Sequence, residues 1–289
     1  MHERKYPIAL VTDSTCDLPE SFMEKYQVHV VPLSVFFGQN QYIDKISMSP
    51  ESFYDKQETS KDYPTTSQPS VQAFTNTFSH LLAHYDSVIA LHISSGLSGT
   101  YANSLKAAEK ITAEYNKPIT VIDSNNISGS LGLVVQRVAL AIESGLTHKE
   151  IVEKINIWAG NTHVFVSVKA MKTMIKGGRV SPLKGFFARL LHIRPVITIG
   201  SNGKATLFDK AFSQKGNMRK TMKHIRKMAE TKKIHSYGLL HGNNEDKLDY
   251  FREEMKALTG QEPQFTVTIS PVVGVSSGKD AAAVAVHFE

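Results

Sequence analysis

Cysteine is almost missing: Cys16 is the only one in 289 residues, so no internal disulfide can form. A reducing cytosol is the simplest compartment for such a chain, and a cytoplasmic protein is expected. Long apolar runs are missing too. No stretch approaches the ~18 residues of a membrane span. The opening MHERKYPIALVTDST offers only Ile8–Val11 as an apolar run, too short for a signal peptide. Metal motifs are absent. His80 and His84 stand four apart on one predicted helix, but no third ligand is evident, and two solvated histidines are expected. No nucleotide motif is complete. Gly274-Val275-Ser276-Ser277-Gly278-Lys279-Asp280 is one residue short of a phosphate-binding loop. It ends in Asp280 where a magnesium-binding hydroxyl belongs, so it reads as a turn and not as part of an ATPase. There is no internal repeat, low-complexity segment or obvious linker.

What is present is ordinary globular composition, 41% hydrophobic and 21% charged, enough for a full core and two domains. The net charge of +6 fits a nucleic acid, a membrane surface, an acidic partner or simply a solvated basic surface. Much of it sits in Lys215–Lys233, where Met218, Met222, Ile225 and Ala229 form the apolar stripe of a basic helix. That helix can rest on phosphates or anionic lipid. It carries no interleaved aromatic residue and matches no nucleic-acid module, so no nucleic-acid partner is expected.

The chain is organised around Ser87–Thr100, SVIALHISSGLSGT. An apolar run (Val88–Leu91, Ile93) reads as an inner parallel strand and feeds a turn rich in serine and glycine before a helix over Tyr101–Tyr115. Such a turn exposes backbone N–H groups that favour an anion. Equally, Ser and Gly there can simply cap the helix and tighten the turn. A second hydroxyl cluster, Thr65-Thr66-Ser67-Gln68-Pro69-Ser70, also precedes a helix.

Strands at Ile8–Thr12, the run above and Ile119–Ile122 alternate with helices up to about residue 160, which argues for a parallel sheet covered on both faces. Ser49-Pro50 opens one helix, and Thr147 with Glu150 forms a capping-box pattern for another. Beyond Gly160, strands mix with hairpins. Ser201-Asn202-Gly203 signals one such hairpin, so a smaller α+β unit with a soft boundary is expected. Gly96-Leu97-Ser98-Gly99 departs from the G-x-S-x-G elbow of serine hydrolases, and no His or Asp is tied to it. A Ser98-dependent acyl hydrolase or transferase is nonetheless the alternative function. Asp13, Asp17, Asp44 and Asp123 end strands without forming an acid–base pair. Lys176-Gly177-Gly178-Arg179 either offers a cation to an anionic ligand or is a glycine helix cap.

Taken in order, the motifs resemble the DegV family of bacterial fatty-acid-binding proteins. They are Val11–Leu18 (VTDSTCDL), Thr66-Ser67-Gln68-Pro69, Ser94–Tyr101 (SSGLSGTY), Val121-Ile122-Asp123-Ser124, Lys176–Ser181 (KGGRVS) and Arg194-Pro195-Val196. The resemblance implies a two-domain α/β fold. Residues 1–160 would form an N-terminal α/β/α unit with a parallel sheet. Residues 161–289 would form an α+β unit with a mixed sheet, and the lipid would lie between them. It implies that Thr66 and Ser98 hold the carboxylate of a long-chain fatty acid such as palmitate, with secondary contacts from Ser95, Arg179 and Ser276. No metal or cofactor is implied. The protein would be a binder and not an enzyme. A separate ATP-dependent fatty-acid kinase subunit would perform any phosphoryl transfer, and transient contact with a membrane surface is allowed. Two departures stand out: Ser276 occupies the place of a family histidine, and Phe212-Ser213 the place of an Arg-Thr pair. Both lost residues are cations expected near the head group.

The physical logic agrees. Burying an acyl chain contributes ~0.8 kcal/mol per CH2, and the carboxylate is costly to desolvate unless donors meet it. Hydroxyls and helix-terminal N–H groups supply such donors.

Overall fold

The structure is a computed structural model that describes residues 6–169, 171–179 and 193–289. Val180 and Ser181 of the KGGRVS motif lie outside the described residues. In chain order the elements are β1 (Ile8–Asp13), α1 (Glu20–Lys25), β2 (His29–Val31), β3 (Ser34–Phe37), β4 (Asn40–Ile43), α2 (Pro50–Thr59), β5 (Thr65–Ser67), α3 (Val71–His84), β6 (Ser87–His92), α4 (Thr100–Tyr115), β7 (Ile119–Asp123), α5 (Ser128–Glu143) and α6 (His148–Gly160). They continue with β8 (Thr162–Ser167), α7 (Met171–Lys176), β9 (Arg194–Ile199), β10 (Ala205–Ala211), α8 (Gln214–Ala229), β11 (Ile234–His241), α9 (Asp249–Thr259), β12 (Thr266–Thr268), α10 (Pro271–Ser277) and β13 (Ala282–Phe288).

The expected parallel sheet is present, in the order β2-β1-β6-β7. Alternate residues of its inner strands serve opposite faces, as the two-residue strand period requires. Ala9, Val11, Val88 and Ala90 pack on α3 and α4 through Phe74, Phe78, Leu81 and Ala108. Ile8, Leu10, Ile89 and Leu91 pack on α5 and α6 through Leu131, Val135, Ile151 and Ile155. The predicted caps hold α2 and α6, where Ser49 accepts from the Ser52 amide and Thr147 and Glu150 close the capping box, and in α3 Ser70 accepts from the Ala73 amide.

The C-terminal part holds the mixed sheet, in the order β10-β9-β8-β13-β11-β12, where only the β11–β12 pair is parallel. Its outer face packs on α8 and α9, with Met218, Met222, Phe251 and Met255 against Phe165, Leu239 and Val284. Its inner face, through Val164, Leu240, Ala283 and Ala285, shares one apolar core with α5. Helix α5 is therefore enclosed between the two sheets. Gly129 is required there, since a Cβ would stand 2.6 Å from Leu240 Cδ1.

Two local readings are corrected. Thr65–Ser67 is not loop but the edge of a small antiparallel sheet, β4-β3-β5, with Thr66 opposite Val35. Three residues between turn signals are too few to show strand period, so only the partner strand reveals them. Gly274–Ser277 is not a turn but the last half of α10, which Pro271 opens. Its three valines and a buried glycine gave it no helical stripe. The helix exists because Val275 packs against Phe53, Tyr54 and Val35.

Candidate functional site

The loops after β1 and β6 leave the carboxyl ends of neighbouring strands where the chain's direction of winding reverses. That is the place where open α/β sheets bind ligands. A cavity of about 210 Å³ lies there. One end is polar, formed by Thr66, Gln68, Ser98, Gly99, Arg179 and Ser276. The remainder is mostly apolar, with Leu33, Ile93, Leu97 and Ile127 facing Val164, Val166, Met174, Ile197, Ile199, Val272 and Val273. Residues of the mixed sheet, of β5, α7 and α10, and of the loops that follow β2 and β6 thus close on one space.

Each polar group has a local cause. Thr66 is held by the β3–β5 ladder, and its Oγ1 accepts from Arg179 Nη2 at 2.8 Å. Arg179 also donates from Nη1 to the Gly177 carbonyl at 2.6 Å, which bends it back over the end of α7. The glycine-cap reading of the KGGR run describes the end of α7. Gly178 caps α7 with φ +75, and Arg179 lines the cavity. Ser98 Oγ shares a 2.8 Å hydrogen bond with Thr100 Oγ1 and accepts from the Thr100 amide at 3.3 Å. Gly99, the N-cap of α4, makes no side-chain cap bond. The first-turn amides of a 16-residue helix therefore begin at the cavity. Gly99 also lies flush against Gln68, whose Nε2 would stand 2.8 Å from a Cβ there.

Around this end the loops are pinned by buried carboxylates. Asp13 and Asp17 are 0% and 1% exposed, and neither lines the cavity. Asp17 Oδ1 pairs with Lys45 Nζ at 2.9 Å and accepts from the Ser270 amide at 3.2 Å, while its Oδ2 accepts from Ser128 Oγ at 2.6 Å. Asp44 Oδ1 accepts from the Val272 amide at 3.4 Å, in the first turn of α10. Burial pushes the Asp44 carboxyl up to about 7, against the opposing pull of Lys45. Tyr63 donates to the carbonyls of Thr173 and Val275, tying α7 to α10, and burial raises its phenol to about 12. Asp123 accepts from the Ser95 amide at 3.1 Å. These strand-end acids act as loop anchors.

Of the five sequence-predicted site residues, Thr66, Ser98, Arg179 and Ser276 line the same cavity. Ser95 does not: it is exposed on the outside of its turn, because Ser94 takes the inward position and donates to the Gly203 carbonyl at 2.7 Å. Phe212 also lies away from the head-group end. It is 85% exposed, just beyond the far end of β10, whose other end, Ala205, lines the cavity. Seven strand residues separate those ends, about 20 Å. Gln68 was missed as a site residue although it belongs to the TSQP motif. Met174, Thr198 and Ser277 carry no sequence signal and enter the lining only through the packing of α7, β9 and α10. Among the described residues, Ser98 is hydrogen-bonded to no histidine, and no group of three metal-ligating side chains exists. Among the described residues, no helix is long and apolar enough to cross a membrane.

Comparison with known proteins places the chain. The family model described as "Uncharacterised protein, DegV family" matches residues 7–289. A DegV domain-containing protein of Staphylococcus aureus strain N315 is 32% identical, over 94% of this chain and 95% of that one. A DegV family protein from Thermus thermophilus, whose structure is described for its fatty acid binding, superposes with a TM-score of 0.87. It is 28% identical, covering 98% of this chain and 100% of its own. DegV from Bacillus subtilis, described as a fatty acid binding protein, gives a TM-score of 0.86 at 25% identity, covering 99% and 100%. The sequence motifs, the two sheets and these matches agree: the chain belongs to the DegV family.

Proposed function

We propose that this protein binds one long-chain fatty acid, with its carboxylate at Thr66 and Ser98 and its acyl chain in the apolar cavity. The observation that carries the reading is the cavity's division. Hydroxyls, the N-terminal turn of α4 and one guanidinium meet at one end, and aliphatic side chains line the rest. Methylene burial supplies affinity without specificity. The polar end offsets the desolvation of the carboxylate and orders the ligand. The Thermus and Bacillus relatives described as binding fatty acid support the same reading. Arg179 gives the head group a positive neighbour while already bonded to Thr66, so acid and hydroxyl form one cluster. Ser276 completes that end, and Ser95 has no part in it.

The lipid lies between two units, residues 1–160 and 161–289, which the chain joins at the α6–β8 junction. The protein is a cytoplasmic binder rather than an enzyme. It presents its ligand to a separate fatty-acid kinase subunit and meets membrane surfaces transiently through the basic face of α8.

The test is direct. Protein purified without added lipid is denatured and extracted, and the extract is weighed by mass spectrometry. A long-chain fatty acid near one per chain is expected. Repeated extraction of none, together with no binding of added palmitate or oleate, refutes the proposal.

A further inference from the structure

Ser98 is held by local hydrogen bonds, its hydroxyl to Thr100 two residues on and its amide to the Ser94 carbonyl at 3.2 Å. Yet a head-group hydroxyl is useful only if its loop is fixed within a fraction of an ångström. The segment that carries it runs from Ile93, at the end of β6, to Ser104, in the second turn of α4. Both ends of that segment reach the same buried group. Asp13 Oδ2 accepts from the Ile93 amide at 2.8 Å and stands 3.2 Å from His92 Nδ1. His92 Nε2 is 2.9 Å from Ser104 Oγ. An imidazole carrying its proton on Nδ1 donates to Asp13 and accepts from Ser104, so every group in the chain is satisfied. Asp13 is held in turn by Thr15, whose amide and hydroxyl donate to Oδ1 at 3.0 and 2.5 Å. The ring of His92 lies edge-on to Phe74 of α3, centroids 5.0 Å apart.

The order of groups is that of a hydrolase triad, but the setting is not. Asp13, His92 and Ser104 are each 0% exposed, and none lines the cavity. No substrate reaches Ser104. We infer that Asp13, His92 and Ser104 are positioning residues: a buried polar strut that spans the 93–104 turn and sets Ser98 and the start of α4 for carboxylate recognition. The inference rests on the reading of the cavity as a carboxylate-headed acyl site and adds the part that holds its geometry. A buried network of this kind fixes a loop because any slippage leaves a polar atom unpaired in a dry interior.

The experiment compares two ligands that share a chain and differ in head group, hexadecanoic acid and hexadecan-1-ol, on the delipidated full chain. The variants are Ser104→Ala, His92→Asn and the double substitution. Ser104→Ala removes one oxygen and leaves Asp13 bonded to Ile93. The expected result is an acid-over-alcohol affinity ratio lowered about three- to tenfold in each single variant, with alcohol affinity unchanged. The double variant falls no further, since both changes cut the same link. A merely structural role lowers both affinities together. That outcome, or an unchanged ratio in Ser104→Ala, overturns the strut. Wild type that fails to prefer acid over alcohol overturns the carboxylate reading itself, and the strut with it.

Discussion

The Thr66→Val substitution isolates the head-group interaction. Valine keeps the shape and β preference of the residue, so β5 and its ladder to β3 persist. Thr66 Oγ1 already accepts from Arg179 Nη2, which leaves the hydroxyl proton for a ligand oxygen. Removing it deletes one hydrogen bond to a charged carboxylate, worth about 1.5–3 kcal/mol. Arg179 loses one acceptor, but its side chain is exposed and still donates to Gly177, so water replaces the bond at little cost. The net expectation is affinity for palmitate weaker by about ten- to a hundredfold. Calorimetric titration of delipidated protein reads this directly, with thermal unfolding of the free protein as the control. Palmitate methyl ester, which lacks the charge, should feel the substitution far less. Thr66→Val that binds palmitate within about twofold of wild type, with an unchanged melting temperature, refutes the reasoning and leaves Thr66 a strand residue only.

Four further outcomes follow from the geometry. Asp44 is raised to about 7 by burial, so the folded state holds its proton more tightly than the unfolded chain does. Its stabilising contribution is full below about pH 4 and is lost as pH rises to about 7, so Asp44→Asn should gain stability over wild type near pH 8 and little near pH 4 in urea titrations; parallel pH profiles would contradict this. Gly96→Ala drives a methyl to 2.6 Å from the Gly203 backbone, and the β9–β10 hairpin tip must shift; a loss of about 1–3 kcal/mol of stability is expected, and a neutral result in thermal unfolding would show that the hairpin yields freely. Phe212→Arg should leave fatty-acid affinity unchanged, because Phe212 is solvated beyond the cavity. Ser276→His, at the cavity wall, should raise acyl-phosphate formation with a kinase subunit, ATP and magnesium more than it raises affinity; equal effects of the two substitutions on binding would sink that distinction.

The sequence by itself determined most of the succession of elements. Apolar runs bounded by hydroxyls and acids marked β1, β6 and β7. Ser49 and Thr147 marked the starts of their helices, and Met218, Met222 and Ile225 marked the buried stripe of α8. These signals are legible because each depends on the period of one element or on a bond within one turn. Thr66 and Ser98 were legible as paired hydroxyl clusters, and the resemblance to the DegV motifs implied a head-group role that the proposed function adopts. What only the tertiary structure decided depends on partners far apart in the chain. Thr65–Ser67 is a strand because Ser34–Phe37 lies beside it, and Pro271–Ser277 is a helix because α2 and β3 cover it. The two serines of the SSGL turn look alike in sequence. The hairpin from the other sheet draws Ser94 inward through the Gly203 carbonyl and leaves Ser95 in water. Likewise, β10 runs away from the cavity and carries Phe212 with it. Strand direction and loop-to-loop contact are set by packing between distant segments, which no local pattern encodes.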